Sequence, residues 1–202
     1  MNLLIKGTTC VALLVTGMGL GTFTRGPQDA PKKDAPKQDA AKADMGMPAP
    51  EVTPEHKWLA ADAGTWKSAA KFYMPDGSVM PQPGKQVNTM QTGGLWQTIN
   101  FRSDDGTFHG NGIAGYDPVK KKFISVWADS MTPFLMTGEG TLDAAKKILT
   151  IEQQGFDPTA GKVIKMRETL ERKDETHVHM EMHGPGPDGK EMKMFEIDYT
   201  KM

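Results

Sequence analysis

Residues 107–129, TFHGNGIAGYDPVKKKFISVWAD, contain two short β-strand patterns joined by a tight turn. We predict strands over 107–116 and 121–129, because Asp117-Pro118 is typical turn chemistry and short runs flank it on both sides. A crossover helix does not fit between runs this close together, so the two strands must be antiparallel. This stretch therefore predicts a β-hairpin.

The same pattern continues on both sides of this hairpin, from Trp66 to the end of the chain. In the segment 66–74, Trp66, Ala70 and Phe72 fall on one face, which is the period of two expected of a strand. Further strands are predicted over 85–92, 95–103, 134–141, 147–154, 161–171, 175–183 and 190–200. Ten short strands joined by turns predict an all-β, antiparallel up-and-down barrel, because closure removes exposed sheet edges; a sandwich is the alternative. A barrel near this size has room to enclose one small ligand.

A short helix is predicted just before the first strand. Thr53 is a typical N-cap, Pro54 suits the first helical position, and Glu55 lies in the first turn. Gly64 then ends a helix of about ten residues, which needs a surface to pack on.

The residues before this helix predict export. Lys6 followed by the apolar run Cys10–Leu20 is typical of a signal peptide, predicted over 1–21, since the run is too short to span a membrane. A retained N-terminal anchor is the alternative. Residues 22–51, rich in Pro, Ala, Lys and Asp, predict a disordered linker. The barrel domain is predicted over 52–202, in the periplasm or outside the cell, with no transmembrane span after signal cleavage.

The composition excludes several classes of protein. The 202 residues carry 24 basic and 25 acidic side chains, so no electrostatic footprint for nucleic acid is present. A single cysteine excludes a disulfide framework and a cysteine-based zinc site. No catalytic signature is found, which favours a non-enzymatic protein and identifies no cofactor. An enzyme using Asp117, Asp129 or a histidine in the barrel mouth is kept as an alternative.

Several motifs together resemble a known family. They are His56, Gly64-Thr65-Trp66, Gly93-Gly94-Leu95-Trp96, Gly110-x-Gly112-x-x-Gly115-Tyr116-Asp117, Trp127-Ala128-Asp129-Ser130, Gly140-Thr141-Leu142, Lys165-Met166-Arg167, Asp188-Gly189-Lys190-Glu191 and Tyr199. This pattern resembles the bacterial secreted domain-of-unknown-function family fifteen seventy-nine over about residues 54–201. The resemblance implies a calycin, or lipocalin-like, barrel and implies no activity. Related nitrobindin-like barrels bind haem through a late histidine, but no motif here matches it.

The resemblance also implies one structural pairing. In calycin barrels an arginine from a late strand packs on the opening tryptophan, and the matching positions here are Arg167 and Trp66. Stacking of a guanidinium on an indole contributes roughly 0.5–2 kcal/mol.

The lead interpretation is a barrel that binds a small apolar or amphipathic molecule in its interior. Parity places many methionine and aromatic side chains inside, including Met74 and Phe134, and such side chains suit an adaptable cavity. The predicted ligand-binding residues of the interior and mouth are Trp66, Phe72, Trp96, Tyr116, Trp127, Met136, Arg167 and Met180. A structural interaction domain with a filled core remains an alternative.

A histidine-rich strand suggests a second, different function. At period two, His177, His179 and His183 share one face with Glu181, and imidazoles at i and i+2 are close enough to chelate copper, zinc or nickel. Met192 and Met194 on the next strand either join this face or pack with the methionines of the opposite face. The alternative function is therefore copper or haem handling by this hairpin, although an outward polar face is what any barrel strand presents.

Overall fold

A computed structural model describes residues 50–157 and 161–202; the predicted signal peptide and all but the last two residues of the predicted linker lie outside these ranges. The chain forms one helix, α1 (Pro54–Ala60), and ten strands. The strands are β1 (Gly64–Tyr73), β2 (Val79–Met90), β3 (Trp96–Ser103), β4 (His109–Asp117), β5 (Lys122–Asp129), β6 (Met136–Asp143), β7 (Ile148–Asp157), β8 (Lys162–Arg172), β9 (His177–Pro185) and β10 (Glu191–Lys201). Within the described part, no helix has the length and apolar character needed to cross a membrane.

The ten strands close into a barrel in chain order, each antiparallel to its neighbours. Closure is made by β1 and β10, which pair from Trp66 opposite Lys201 to Phe72 opposite Phe195. The predicted up-and-down barrel of ten strands is confirmed, and the sandwich alternative is wrong.

One predicted strand boundary differs clearly from the structure. Strand β2 begins at Val79, six residues before the predicted start, and includes Pro81 and Pro83. Both prolines pair with β1, whereas pairing with β3 begins only at Gly84. The prolines therefore stand where β2 needs hydrogen bonds on one side only, which is where a strand tolerates a residue without an N–H.

Glycines on the inner face make room for neighbouring side chains. A Cβ atom on Gly110 would lie 2.1 Å from Trp127 Cζ2, and one on Gly138 would lie 2.4 Å from Gln153 Oε1. Real Cβ atoms do not approach this closely, so both positions require glycine while these side chains keep their places. The space that these glycines leave is filled by the protein's own side chains.

Helix α1 packs against one end of the barrel. Leu59 is 4% exposed and packs with Phe123, Leu149 and Ile151, which point inward from β5 and β7. Gln97 Nε2 donates a hydrogen bond of 2.8 Å to the carbonyl oxygen of Leu59. These contacts give the seven-residue helix the supporting surface that a helix so short requires.

The predicted pairing of Arg167 with Trp66 is wrong. Arg167 points outward and binds the Glu191 carboxylate, with its Nη2 2.9 Å from Oε2. The arginine at the helix end is Arg172, whose guanidinium lies 4.2 Å from the ring of Trp58, while Lys201 lies over Trp66. Positions 167 and 172 are an odd number of residues apart, so they face opposite sides of β8.

Arg172 also ties the helix to the barrel. Its Nη2 lies 2.7 Å from Asp62 Oδ1 and donates to the Trp58 carbonyl oxygen at 2.9 Å. Burial raises the pKa of Asp62, and the Arg172 guanidinium opposes this shift. The buried ion pair therefore joins the end of the helix to the end of β8.

Candidate functional site

The barrel encloses a cavity of about 750 Å³. Its walls are mainly apolar, and its principal apolar side chains are Phe72, Ile99, Phe101, Trp127, Met180 and Phe195. This volume falls in the range of small-molecule sites, which are typically apolar clefts with a few polar groups. The barrel is therefore hollow, in contrast to the alternative of a filled core.

The cavity extends to the end of the barrel opposite α1. There it reaches the loops 104–108 and 130–135, where Thr107, Phe108 and Met131 line it. Met131 is 74% exposed and Leu135 is 62% exposed, so the 130–135 loop presents apolar side chains to solvent at this end. We call this end the mouth.

Asp129 holds one loop of the mouth in place. Its Oδ1 accepts hydrogen bonds from the backbone N–H groups of Met131 and Thr132, and its Oδ2 accepts one from Trp127 Nε1. The carboxylate thus fixes both the loop and a wall side chain of the cavity, which is a positioning role.

A polar pair lies among the apolar walls. Gln153 Nε2 donates to Glu168 Oε2 at 2.7 Å and to Ser125 Oγ at 3.3 Å. Burial raises the pKa of the Glu168 carboxyl, and the hydrogen bond from Gln153 partly offsets this. Gln153 is 5% exposed, and its Oε1 has no hydrogen-bond partner among the described residues.

A second polar chain lines the same cavity. Tyr199 donates from its hydroxyl to Gln86 Oε1 at 3.0 Å, and Gln86 Nε2 donates to Asn88 Oδ1 at 3.1 Å. Burial, reinforced by the charge of Glu168, raises the pKa of the Tyr199 hydroxyl. The tyrosine therefore stays protonated and acts as a hydrogen-bond donor.

Half of the predicted ligand-binding residues line the cavity: Phe72, Trp127, Met136 and Met180. Two others are inside the barrel but away from it: Trp66 is buried against Ala70 and Tyr199, and Tyr116 contacts His56 and Phe123 near the helix. Binding of a ligand by these residues stays a prediction.

Trp96 and Arg167 do not line the cavity and lie on the outer surface. Trp96 is 42% exposed and covers Gly115, because its neighbour Gln97 takes the inward position on β3. The expectation that Met74 and Phe134 are interior is also wrong: each is about two-fifths exposed and lies in a turn beyond the end of a strand.

Sequence reasoning missed Glu168 and Gln153. Both occupy inward positions next to apolar inward residues, Ile151 beside Gln153 on β7 and Leu170 beside Glu168 on β8. A polar residue that interrupts the apolar face of a strand is the signal that would have identified them, since burial of such a group is costly without a partner.

The histidine-rich strand β9 presents the predicted face outward. His179 Nδ1 lies 2.7 Å from Asp198 Oδ1, and its Nε2 lies 3.3 Å from Glu181 Oε1. The His179, Glu181 and Glu196 side chains are close enough together to hold a metal ion. However, the Lys193 ammonium lies between the two glutamates, 2.6 Å from Glu181 and 2.8 Å from Glu196. This arrangement is an ion-pair network.

Of the other predicted ligands, His183 borders this network, with its Nε2 3.9 Å from Glu181 Oε2, and the rest lie apart from it. His177 Nδ1 lies 3.0 Å from the carboxylate of Asp174 in the β8–β9 turn. A side chain on Gly184, which faces inward, would contact the sulfur of Met194, and Met192 pairs with Gly184 across the hairpin. The thioethers thus pack on the inner side and do not join the histidine face. Metal binding by His177, His179 and His183 stays a prediction.

Comparison with known proteins establishes the family. Residues 51–201 match the family model described as "Protein of unknown function (DUF1579)", and the chain belongs to this family, as its motifs indicated. No curated protein matches the sequence.

Among solved structures, the barrel is similar to that of Rv2717c from M. tuberculosis. The TM-score is 0.57 at 14% identity, over 75% of this chain and 99% of that chain. The S-type phycobiliprotein lyase CPES from Guillardia theta is also similar, with a TM-score of 0.47 at 9% identity over 76% and 98% of the two chains. The identities are low, so the likeness to Rv2717c concerns the fold.

Proposed function

We propose that this DUF1579 barrel binds a small amphipathic molecule in its interior. The observation that carries the proposal is the cavity of about 750 Å³, with apolar walls and a polar pair, Glu168 and Gln153, inside it. Apolar walls favour burial of an apolar ligand body by roughly 25 cal/mol for each Å² removed from water. The polar pair selects ligands that carry a hydrogen-bonding group.

The mouth supports this proposal. An apolar molecule passes over exposed apolar side chains such as Met131 and Leu135 at little cost in free energy. A ring of charged side chains around the mouth would oppose its entry. Asp129 and its hydrogen bonds keep Trp127 against the wall, so that the cavity is preformed before a ligand arrives.

The proposal is tested with N-phenyl-1-naphthylamine, an uncharged dye whose fluorescence rises in apolar surroundings. We expect saturable binding to the wild-type protein. Ile99 lines the cavity, so the Ile99→Trp substitution fills space and is expected to weaken dye binding at least about tenfold, equal to 1.4 kcal/mol. The matched control is Ile113→Trp on the adjacent strand, where the side chain is 49% exposed and points outward.

Two results would contradict the proposal. One is the absence of saturable dye binding to the folded wild-type protein. The other is an equal loss of binding in the two tryptophan variants, which would place the dye on the outer surface. A circular dichroism spectrum of each variant checks that the barrel is intact.

We further propose that the barrel works outside the cytoplasm. The supporting observations are Lys6 and the apolar run Cys10–Leu20, which together are typical of a cleaved signal. The intact mass of protein recovered from the producing cell is expected to correspond to a chain that begins near residue 22. A recovered chain that begins at Met1 would contradict export by cleavage.

A further inference from the structure

The ionisable side chains found in the cavity lining are carboxylic acids and one tyrosine. Among the described residues they are Asp62, Asp105, Asp129, Glu168 and Tyr199, and no lysine, arginine or histidine lines it. A cavity lined by acids and low-dielectric walls repels an anionic ligand and attracts a cationic one.

Three of the four acids already have partners that satisfy them. Asp62 pairs with Arg172, Asp105 accepts hydrogen bonds from the 103–107 turn, and Asp129 caps the mouth loop. Glu168 differs from them, because its hydrogen bond comes from the neutral amide of Gln153 and no cation among the described residues contacts it. It is the carboxyl group of the cavity that a ligand has most to gain by contacting.

A second unsatisfied group lies beside it. Gln153 lines the cavity, is 5% exposed, and its Oε1 accepts no hydrogen bond among the described residues. Its Oε1 has almost no accessible surface and lies against Gly138, where a Cβ atom would be only 2.4 Å from it, so a ligand in the cavity reaches Glu168 and not this oxygen. Glu168 lines the cavity and is the acceptor within reach, so the matching ligand group is one with N–H donors.

We propose that Glu168 anchors a basic amphipathic ligand, whose ammonium or amidinium group donates hydrogen bonds to the Glu168 carboxylate. Its apolar body lies along Phe72, Phe101 and Trp127 towards the mouth. This inference rests on the proposed function and specifies the chemical class of the ligand.

Proton balance links this binding to pH. In the empty cavity, burial raises the pKa of Glu168 and favours the neutral acid. An ammonium group favours the carboxylate, so binding releases the Glu168 proton to solvent and the affinity for the amine rises with pH. The titratable group that faces Glu168 is Tyr199 from β10, which stays protonated; Gln153 from β7 and Met182 from β9 are neutral.

The test compares three ligands of equal chain length: dodecylamine, dodecanol and sodium dodecanoate, each competing with N-phenyl-1-naphthylamine below its critical micelle concentration. For the wild-type protein we expect dodecylamine to compete at least about tenfold better than dodecanoate, with dodecanol between them. The dodecylamine affinity is expected to rise as the pH increases above the usual pKa of a glutamate, over a range in which the amine stays charged.

The Glu168→Gln variant tests the anchor itself. We expect it to lose the preference for dodecylamine over dodecanol and to lose the pH dependence, with each competition measured against the variant's own affinity for the dye. The matched control is Glu152→Gln on β7, an exposed acid one residue from Gln153, which is expected to behave as the wild type.

Each outcome decides the proposal. Equal or better competition by dodecanoate, or a preference for the amine that persists in Glu168→Gln, overturns the assignment of Glu168. Should that variant fail to bind the dye, the ranking of the three ligands on the wild-type protein decides alone. Absence of dye binding to the wild type is a separate result, since it contradicts interior binding of any ligand.

Discussion

At residue 110, only a glycine leaves room for the indole of Trp127. The distance of 2.1 Å from a Cβ atom at this position to the indole carbon Cζ2 is far inside contact distance, and Gly112 faces the same ring at 3.0 Å. The ring forms part of the cavity wall, so the two glycines determine the shape of the site without touching a ligand.

The Gly110→Ala substitution is expected to displace Trp127 and to destabilise the protein by about 1–3 kcal/mol, as overpacking does. Gly112→Ala is expected to cost less, because its closest contact is 3.0 Å. Urea unfolding followed by tryptophan fluorescence measures both variants. Equal stability of wild type and Gly110→Ala would show that the indole does not lie on the glycine.

The two arginines of β8 provide a second test at this scale. Arg172→Ala leaves the buried Asp62 carboxylate without its cation and is expected to cost about 3–5 kcal/mol. Arg167→Ala removes an exposed ion pair with Glu191 and is expected to cost less than about 1 kcal/mol. Thermal unfolding measures the difference, and the reverse order would contradict the assignment of Arg172 to the helix end.

At the scale of the elements, β9 and β10 form an outer surface of alternating charge. Glu196 accepts hydrogen bonds from Lys193 at 2.8 Å and from Lys71 on β1 at 3.0 Å. The hydrogen bond from Lys193 is the main cause that lowers the pKa of Glu196 to about 2. Because β1 is the strand that closes the barrel against β10, this cluster spans the closure.

Low pH is therefore expected to weaken the contact between β1 and β10 that closes the barrel. A carboxyl whose pKa is lowered on folding stabilises the protein above its usual pKa, and this contribution disappears as pH falls towards about 2. Glu196→Gln is expected to be less stable than the wild type at pH 7, by about 3 kcal/mol at most, and equally stable near pH 2. Urea unfolding at both pH values measures this. The exposed Glu175→Gln serves as control, and a Glu196→Gln deficit that persists in acid would contradict the account.

Sequence patterns predict the elements well where side chains alternate strictly. The ten strands and the helix start at Thr53 follow from period two and from turn and capping chemistry, which are local. The start of β2 was missed because Pro81 and Pro83 argue against a strand, and only the pairing shows that one side of this segment needs no hydrogen bonds. The pairing of Arg167 with Trp66 was predicted wrongly because motifs do not show which side of β8 faces the helix. Arg172, on the opposite side of β8 from Arg167, occupies that position.

At the scale of the whole molecule, closure of the sheet produces both the cavity and its mouth. Alternation predicts that four side chains point inward: Phe72, Trp127, Met136 and Met180. The volume of the cavity depends instead on the tilt of the ten strands and on the glycines that let side chains lie flat against the wall. The sequence therefore predicts the lining of the site better than its size. Alternation alone places Glu168 and Gln153 inward, but the contact between them depends on the pairing of β7 with β8, which local patterns do not report.

The most direct test of interior binding is a methyl NMR titration with N-phenyl-1-naphthylamine on protein labelled at the methionine methyl carbons. Met136, Met180 and Met182 line the cavity, while Met202 is 76% exposed at the chain end. The account predicts saturable shifts of the three interior methyl signals with the same dissociation constant, and an unchanged Met202 signal. Unshifted interior signals at dye concentrations that saturate the fluorescence change would contradict it.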